Sequence, residues 1–94
     1  MNVSILIWPD DRAEHIARHN ITPEEFEEVC FGRSLVLRVE SHGLNPVYNV
    51  LGQTESGDYL LCVIIAMPEG IGYPVTARSM TLREERRYLR WRKK

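Results

Sequence analysis

The sequence predicts an α+β domain, an antiparallel sheet with two N-terminal helices and one C-terminal helix in the order β-α-α-β-β-β-β-α. Three observations carry that expectation. Two helix starts are written out in full: Thr22 and Thr81 each stand at an N-cap with a glutamate, Glu25 or Glu84, three residues on. Between them, residues 35–77 hold short β-branched runs separated by Gly-, Pro- and Asn-containing segments of hairpin length. One of these runs, residues 59–66 (YLLCVIIA), is apolar throughout, as a central strand covered on both faces requires.

Each element has its own signal. Residues 3–8 (VSILIW) read as a first strand, broken by Pro9-Asp10-Asp11. A short helix over residues 12–19 follows, with Asp11 and Glu14 at capping-box spacing and Asn20, which tolerates the left-handed conformation, at its end. The second helix has Thr22 as N-cap, Pro23 at its first position and Ile21 and Phe26 placed as a hydrophobic staple. Phe26, Val29 and Cys30 form its inward stripe, Glu24, Glu25, Glu27 and Glu28 its solvated face, and Gly32 its end. Strands are expected at residues 35–40, 47–53, 59–66 and 73–77, with a turn at 41–46 that contains His42, a hairpin loop at 54–58 and a further turn at 67–72. The last helix starts at Thr81. Leu82 and Leu89 fall on one face of it, and Arg83, Arg87, Arg90 and Lys94 form a cationic stripe at i, i+4, i+7 and i+11.

Ninety-four residues make a single domain, 1–94, with one modest core. Apolar content of 44% and charged content of 27% are ordinary for a globular chain. No apolar run approaches the roughly 20 residues a membrane helix needs, and the opening residues lack the features of a secretion signal. A cytoplasmic protein is therefore expected, with no membrane partner. Cys30 and Cys62 sit within apolar patterns and read as reduced core residues.

Charge is the strongest chemical signal. Residues 78–94 hold eight Lys or Arg against two Glu, a net of +6, while residues 1–77 carry −7. The total of −1 hides this division. Ten of the twelve basic residues are arginine, whose planar fork matches a phosphate and stacks on bases. Tyr73, Tyr88 and Trp91 lie among them, and cations interleaved with aromatics suit unstacked RNA bases. A solvated helix face, or a helix docking on an acidic protein, accounts for the same residues.

Smaller signals are more open. His15 and His19 are four apart on a helix, but no third metal ligand has convincing spacing and Ile16 stands where a metalloprotease would carry Glu. Packing, capping and acid–base roles remain for them. Arg78 ends a strand, a rigid mount for a cation facing developing negative charge, or else an ion-pair partner for Glu84 or Glu85. Arg38, among apolar strand residues, must point to a polar face. There is no Gly-rich phosphate loop, no GxSxG and no CxxC, so nucleotide hydrolysis, hydride transfer and serine hydrolase chemistry have no support.

Several segments together resemble one family. They are Glu14-His15-Ile16-Ala17-Arg18-His19-Asn20-Ile21-Thr22, Phe26-Glu27-Glu28-Val29, Gly52-Gln53-Thr54 with Gly57, Pro74-Val75-Thr76-Ala77-Arg78, Met80-Thr81 and Glu84 with Arg86-Arg87-Tyr88. From about Trp8 to Tyr88 the chain is similar to the BrnT toxins of bacterial type II toxin–antitoxin systems. The resemblance implies a RelE-like fold, cleavage of RNA without a cofactor, and neutralisation by a DNA-binding antitoxin; self-association is left open. On it, Arg18, His19, Arg78, Glu84 and Tyr88 stand at matching positions; the candidate catalytic residues are His19, Arg78, Glu84 and Tyr88, and the candidate RNA-binding residues are Arg18 with Arg83, Arg87, Arg90 and Lys94 of the cationic stripe. In that scheme His19 moves a proton with Glu84 or Tyr88 as partner, and Arg78 with Arg18 or Arg83 balances the charge on phosphorus. A module that only binds an antitoxin-like protein, or RNA without cleavage, is the alternative. The catalytic scheme also expects His19 and the C-terminal arginines to line one electropositive cleft.

Overall fold

A computed structural model describes residues 1–40 and 43–94. The elements run β1 (Ile5–Leu6), α1 (Asp10–Ala17), α2 (Pro23–Phe31), β2 (Leu35–Val39), β3 (Val47–Gln53), β4 (Tyr59–Ala66), a 3-10 turn (Pro68–Gly70), β5 (Ile71–Ser79) and α3 (Leu82–Arg92). This is the expected α+β order, and β3 and β4 have the expected limits. The strands form one sheet in the order β1-β5-β4-β3-β2.

The sheet is mixed, not antiparallel throughout. β2 to β5 pair antiparallel, but β1 pairs parallel to β5, Ile5 with Ile71 and Leu6 with Gly72. The reason lies in the connection. β1 reaches the sheet before two helices and three strands intervene, so it meets the last strand rather than a hairpin neighbour. It is also much shorter than residues 3–8 predicted. Gly72 lets it close over the core, because a Cβ there would meet Ile64 Cδ1 at 2.6 Å and Leu6 Cδ2 at 2.7 Å.

The two-residue period of the strands sends side chains to two separate cores. Leu60, Cys62 and Ile64 of β4, with Val50 and Ala77, join Ile16 of α1 and Phe26, Val29 and Cys30 of α2. Leu61 of β4 and Leu51 of β3 face the other way and pack with Tyr88 of α3, flanked by Leu35, Leu37, Val63, Leu89 and Trp91. β4 is thus covered on both faces, as its apolar run requires. The consequence for function is direct. α1 and α2 lie on one face of the sheet, and α3 lies on the other.

Local chemistry explains the helix limits. At α2 the capping box is complete: Glu25 N–H donates to Thr22 Oγ1 at 3.1 Å and Thr22 N–H to Glu25 Oε1 at 3.0 Å. At α3, Glu84 N–H donates to Thr81 Oγ1 at 3.2 Å and Thr81 N–H to Glu84 Oε1 at 2.8 Å. Such a cap contributes about 1 kcal/mol. α1 differs from expectation. It starts two residues early, after Pro9, whose side chain offers no cap, so the Asp11–Glu14 box does not form. Asn20 does take the left-handed conformation, at φ 61°. The acidic face of α2 is less free than the pattern implied. Glu27 accepts from Trp8 Nε1 at 2.9 Å, and Glu28 from the Glu55 N–H at 3.2 Å.

On α3 the expected Leu82–Leu89 face is only half realised. Leu82 is 62% exposed, while Tyr88 is buried and Leu89 and Trp91 are half-buried against the sheet. The helix packs on β2 and β3 through Tyr88, Leu89 and Trp91, while its first turn meets the sheet through the Arg78–Glu84 pair at the end of β5. Cys30 and Cys62 are free thiols in the first core, as expected. They lie close together, and hydrogen bonding from Cys30 pushes the Cys62 thiol pKa far up. The His42 reading lies outside the described residues. Among the described residues no helix is long and apolar enough to cross a membrane.

Candidate functional site

The arginine stripe on α3 is present as its spacing requires. Arg83, Arg87, Arg90 and Lys94 are exposed, and none makes an ion pair among the described residues. They border two shallow grooves that share Arg87 and Arg90. One is lined by Arg83, Glu84, Arg87 and Arg90, and the next by Leu35, Arg87, Arg90, Trp91 and Lys94. At 1.5 Å per residue the stripe from Arg83 to Arg90 extends over about 10 Å of helix, and Lys94 follows just past the helix end.

The end of α3 is clamped rather than free. Arg33, just after α2, donates through Nη2 to the Arg92 carbonyl at 2.6 Å, and its guanidinium lies 5.7 Å from the centre of the Trp91 ring. A cation on C-terminal carbonyls also suits the helix dipole. Arg92 folds back, donating to Gln53 Oε1 at 2.6 Å and lying 5.5 Å from the centre of the Tyr88 ring. Arg33 and Arg92 therefore fix the helix. The stripe is left to solvent.

Arg78 and Glu84 form a two-pronged pair: Nη1 to Oε1 at 2.8 Å and Nη2 to Oε2 at 2.9 Å. The Arg78 hydrogen bonds hold the Glu84 carboxyl down at about 2, and the carboxylate in turn raises the Arg78 guanidinium pKa. Glu84 is ionised at neutral pH and closes the cap of α3 at the same time. A carboxyl held this low is a poor proton donor and a weak base. Its place is that of a holder for Arg78, which remains 46% exposed and keeps donors for a ligand.

Tyr88 is not at a surface. It is 2% exposed in the second core, and its hydroxyl donates to the Arg33 carbonyl at 2.8 Å. Its phenol is committed to holding α3 on the sheet. The amphipathic helix pattern contained this outcome, because Tyr88 lies three residues before Trp91 on the side away from Arg83, Arg87 and Arg90.

The single cleft expected from the sequence does not form. Arg18 and His19 are exposed beyond the end of α1, on the face of the sheet opposite α3. The reason is that β5 stands between them, feeding one core through Ala77 and presenting Arg78 on the other side. Arg38 is exposed on β2, across from Tyr48, whose ring packs on the first core; it therefore also points away from α3.

What joins the two faces is β5 itself. Beyond Gly72 its outer edge has no strand partner among the described residues, and α1 runs along it. Arg12 Nη1 donates to the Val75 carbonyl at 3.1 Å, and His15 Nε2 lies 2.8 Å from Thr76 Oγ1. A bulge leaves Val75 without a partner on β4, between Pro74 opposite Ile64 and Thr76 opposite Val63. The His19 ring meets the His15 ring edge-on at 5.7 Å. Thr76 and Arg78 are two residues apart, so their Cα atoms are roughly 7 Å apart along the strand. An imidazole pair, a hydroxyl and two guanidinium groups thus follow one strand edge. Sequence reasoning gave Arg12 and Thr76 no role. The Thr76-x-Arg78 alternation was a legible signal; the docking of α1 beside it was not.

A comparison with protein-family models and with curated proteins finds no match to this chain. Among the described residues no three His, Cys, Asp or Glu side chains converge to hold a metal.

Proposed function

We propose that this chain is an endoribonuclease that needs no metal, acting as the toxin of a toxin–antitoxin pair, as its resemblance to BrnT implies. The observation that carries the reading is the row of exposed cations on α3, unpaired with carboxylates, beside Arg78 at the end of β5. Unpaired guanidinium groups at helical spacing attract a phosphate chain. Arg78, held in position by Glu84, offers a rigid cation to a phosphate whose charge grows during attack by the neighbouring 2′-hydroxyl. In this reading Glu84 and Tyr88 build the site and transfer no proton.

Incubating purified chain with single-stranded RNA in EDTA tests it. The expected products carry 2′,3′-cyclic phosphate and 5′-hydroxyl ends, and Arg78→Ala lowers the rate by about 10²-fold. Intact RNA, or full activity in Arg78→Ala, refutes the proposal.

One observation favours a second reading, a binding module for an antitoxin-like protein. Two of the four candidate catalytic side chains, Glu84 and Tyr88, are tied into the fold. Expression of the chain alone separates the two readings. A nuclease arrests growth and Arg78→Ala relieves the arrest; a module that only binds is harmless.

A further inference from the structure

We infer that His15, held by Thr76, is the group that accepts the 2′-hydroxyl proton, in place of His19. The inference rests on the ribonuclease reading above. It comes from the mounting of the two imidazoles. His15 is half-buried on α1 with Nε2 fixed 2.8 Å from Thr76 Oγ1. The helix that carries it is pinned to the same strand by the Arg12 bond to the Val75 carbonyl. His19 is exposed just before the left-handed Asn20, with no hydrogen bond to its ring among the described residues. A base attached to a rigid strand loses little freedom when substrate arrives, whereas one on an open turn must be ordered each time.

Thr76 engages one of the two ring nitrogens and leaves Nδ1 as the other. In the tautomer whose Nε2–H donates to the Thr76 hydroxyl, Nδ1 is the atom that accepts a proton. The strand places Arg78 two residues further on, roughly 7 Å along β5, close to the width of a nucleotide phosphate with its sugar.

In the reaction, the 2′-hydroxyl proton passes to His15 Nδ1 as the 2′-oxygen bonds to phosphorus. The bond from phosphorus to the 5′-oxygen breaks, and its electron pair stays on that oxygen. The 5′-oxygen takes a proton from water, which leaves a 2′,3′-cyclic phosphate and a 5′-hydroxyl. Arg78 faces the negative charge on the phosphoryl oxygens. The other charged and titratable groups on the elements that meet here are Asp10, Asp11, Arg12, Glu14 and Arg18 around α1, and Tyr73 on β5.

His15→Gln tests the assignment, because glutamine can keep the Thr76 hydrogen bond but cannot accept the proton. Cleavage is followed on an end-labelled oligoribonucleotide, and affinity on its 2′-O-methyl form, which cannot be cut. The expected result is a cleavage rate at saturating RNA that falls by about 10²-fold, with affinity unchanged within about twofold. Thr76→Ser, which keeps the hydroxyl, retains most activity, and Thr76→Val loses about tenfold. Full cleavage by a folded His15→Gln overturns the inference while leaving the nuclease reading intact. If His15→Gln does not fold, the Thr76 pair decides, and equal activity in Thr76→Val and wild type overturns it. A wild-type chain that leaves RNA uncut removes both this inference and the function on which it rests.

Discussion

Glu84→Gln separates the two tasks of one side chain. Glutamine preserves a capping box, so the Thr81 N–H keeps its acceptor, but the charge opposite Arg78 is lost. In the fold the carboxyl is held at about 2, against an ordinary glutamate value near 4.3. That gap converts to an upper bound of about 3 kcal/mol. Arg78 is nearly half exposed, and screened pairs of this kind measure about 0.2–1 kcal/mol, so about 1 kcal/mol is the expected loss at neutral pH. For a chain of this size, that lowers Tm by about 4–8 °C. The sign with pH follows from the depressed value. The stabilisation is complete above the unfolded value near 4.3 and disappears as pH falls through about 2. Urea titrations of wild type and Glu84→Gln from neutral to acid pH read it directly. The two curves should converge as pH falls below about 4. A constant difference at every pH, or none at neutrality, refutes the account of the pair.

The remaining expectations concern the rest of the fold and the stripe. Tyr88→Phe keeps the ring and removes the bond to the Arg33 carbonyl, so stability should fall by about 1 kcal/mol in a urea titration while RNA cleavage is unchanged. Asn20→Ala places a Cβ-bearing residue without Asn's local bonding at φ 61° and should lower stability by about 1 kcal/mol, read as an earlier urea midpoint. Arg87→Ala with Arg90→Ala should weaken RNA binding at low salt and flatten the plot of log affinity against log salt by about 0.7 per cation removed. An unchanged slope would mean that neither residue meets a phosphate.

Much of the fold was legible because it is written in local chemistry. The Thr22 and Thr81 caps name their own partners three residues away, and the unbroken apolar run of β4 requires cover on both faces. The parallel docking of β1 was not legible, since it depends on contacts about 65 residues apart in the chain and on the absence of a Cβ at Gly72. The charged stripe of α3 could be read from its period, and so could the retreat of Tyr88 into the core. The site divided differently from expectation because charge and composition along the chain say nothing of which face of a sheet a helix covers. His15 and Thr76 are 61 residues apart, and only the path of α1 along β5 joins them.

The layering of the molecule gives it two electrical sides. α2 brings Glu24, Glu25, Glu27 and Glu28 to the outside of one layer, and α3 brings its guanidinium row to the outside of the opposite one. If the proposed function holds, an RNA strand is drawn to the α3 side and repelled by the α2 side, which favours one orientation of approach. On the proposed function, the acidic back of α2 would disfavour a second nucleic-acid strand on that side.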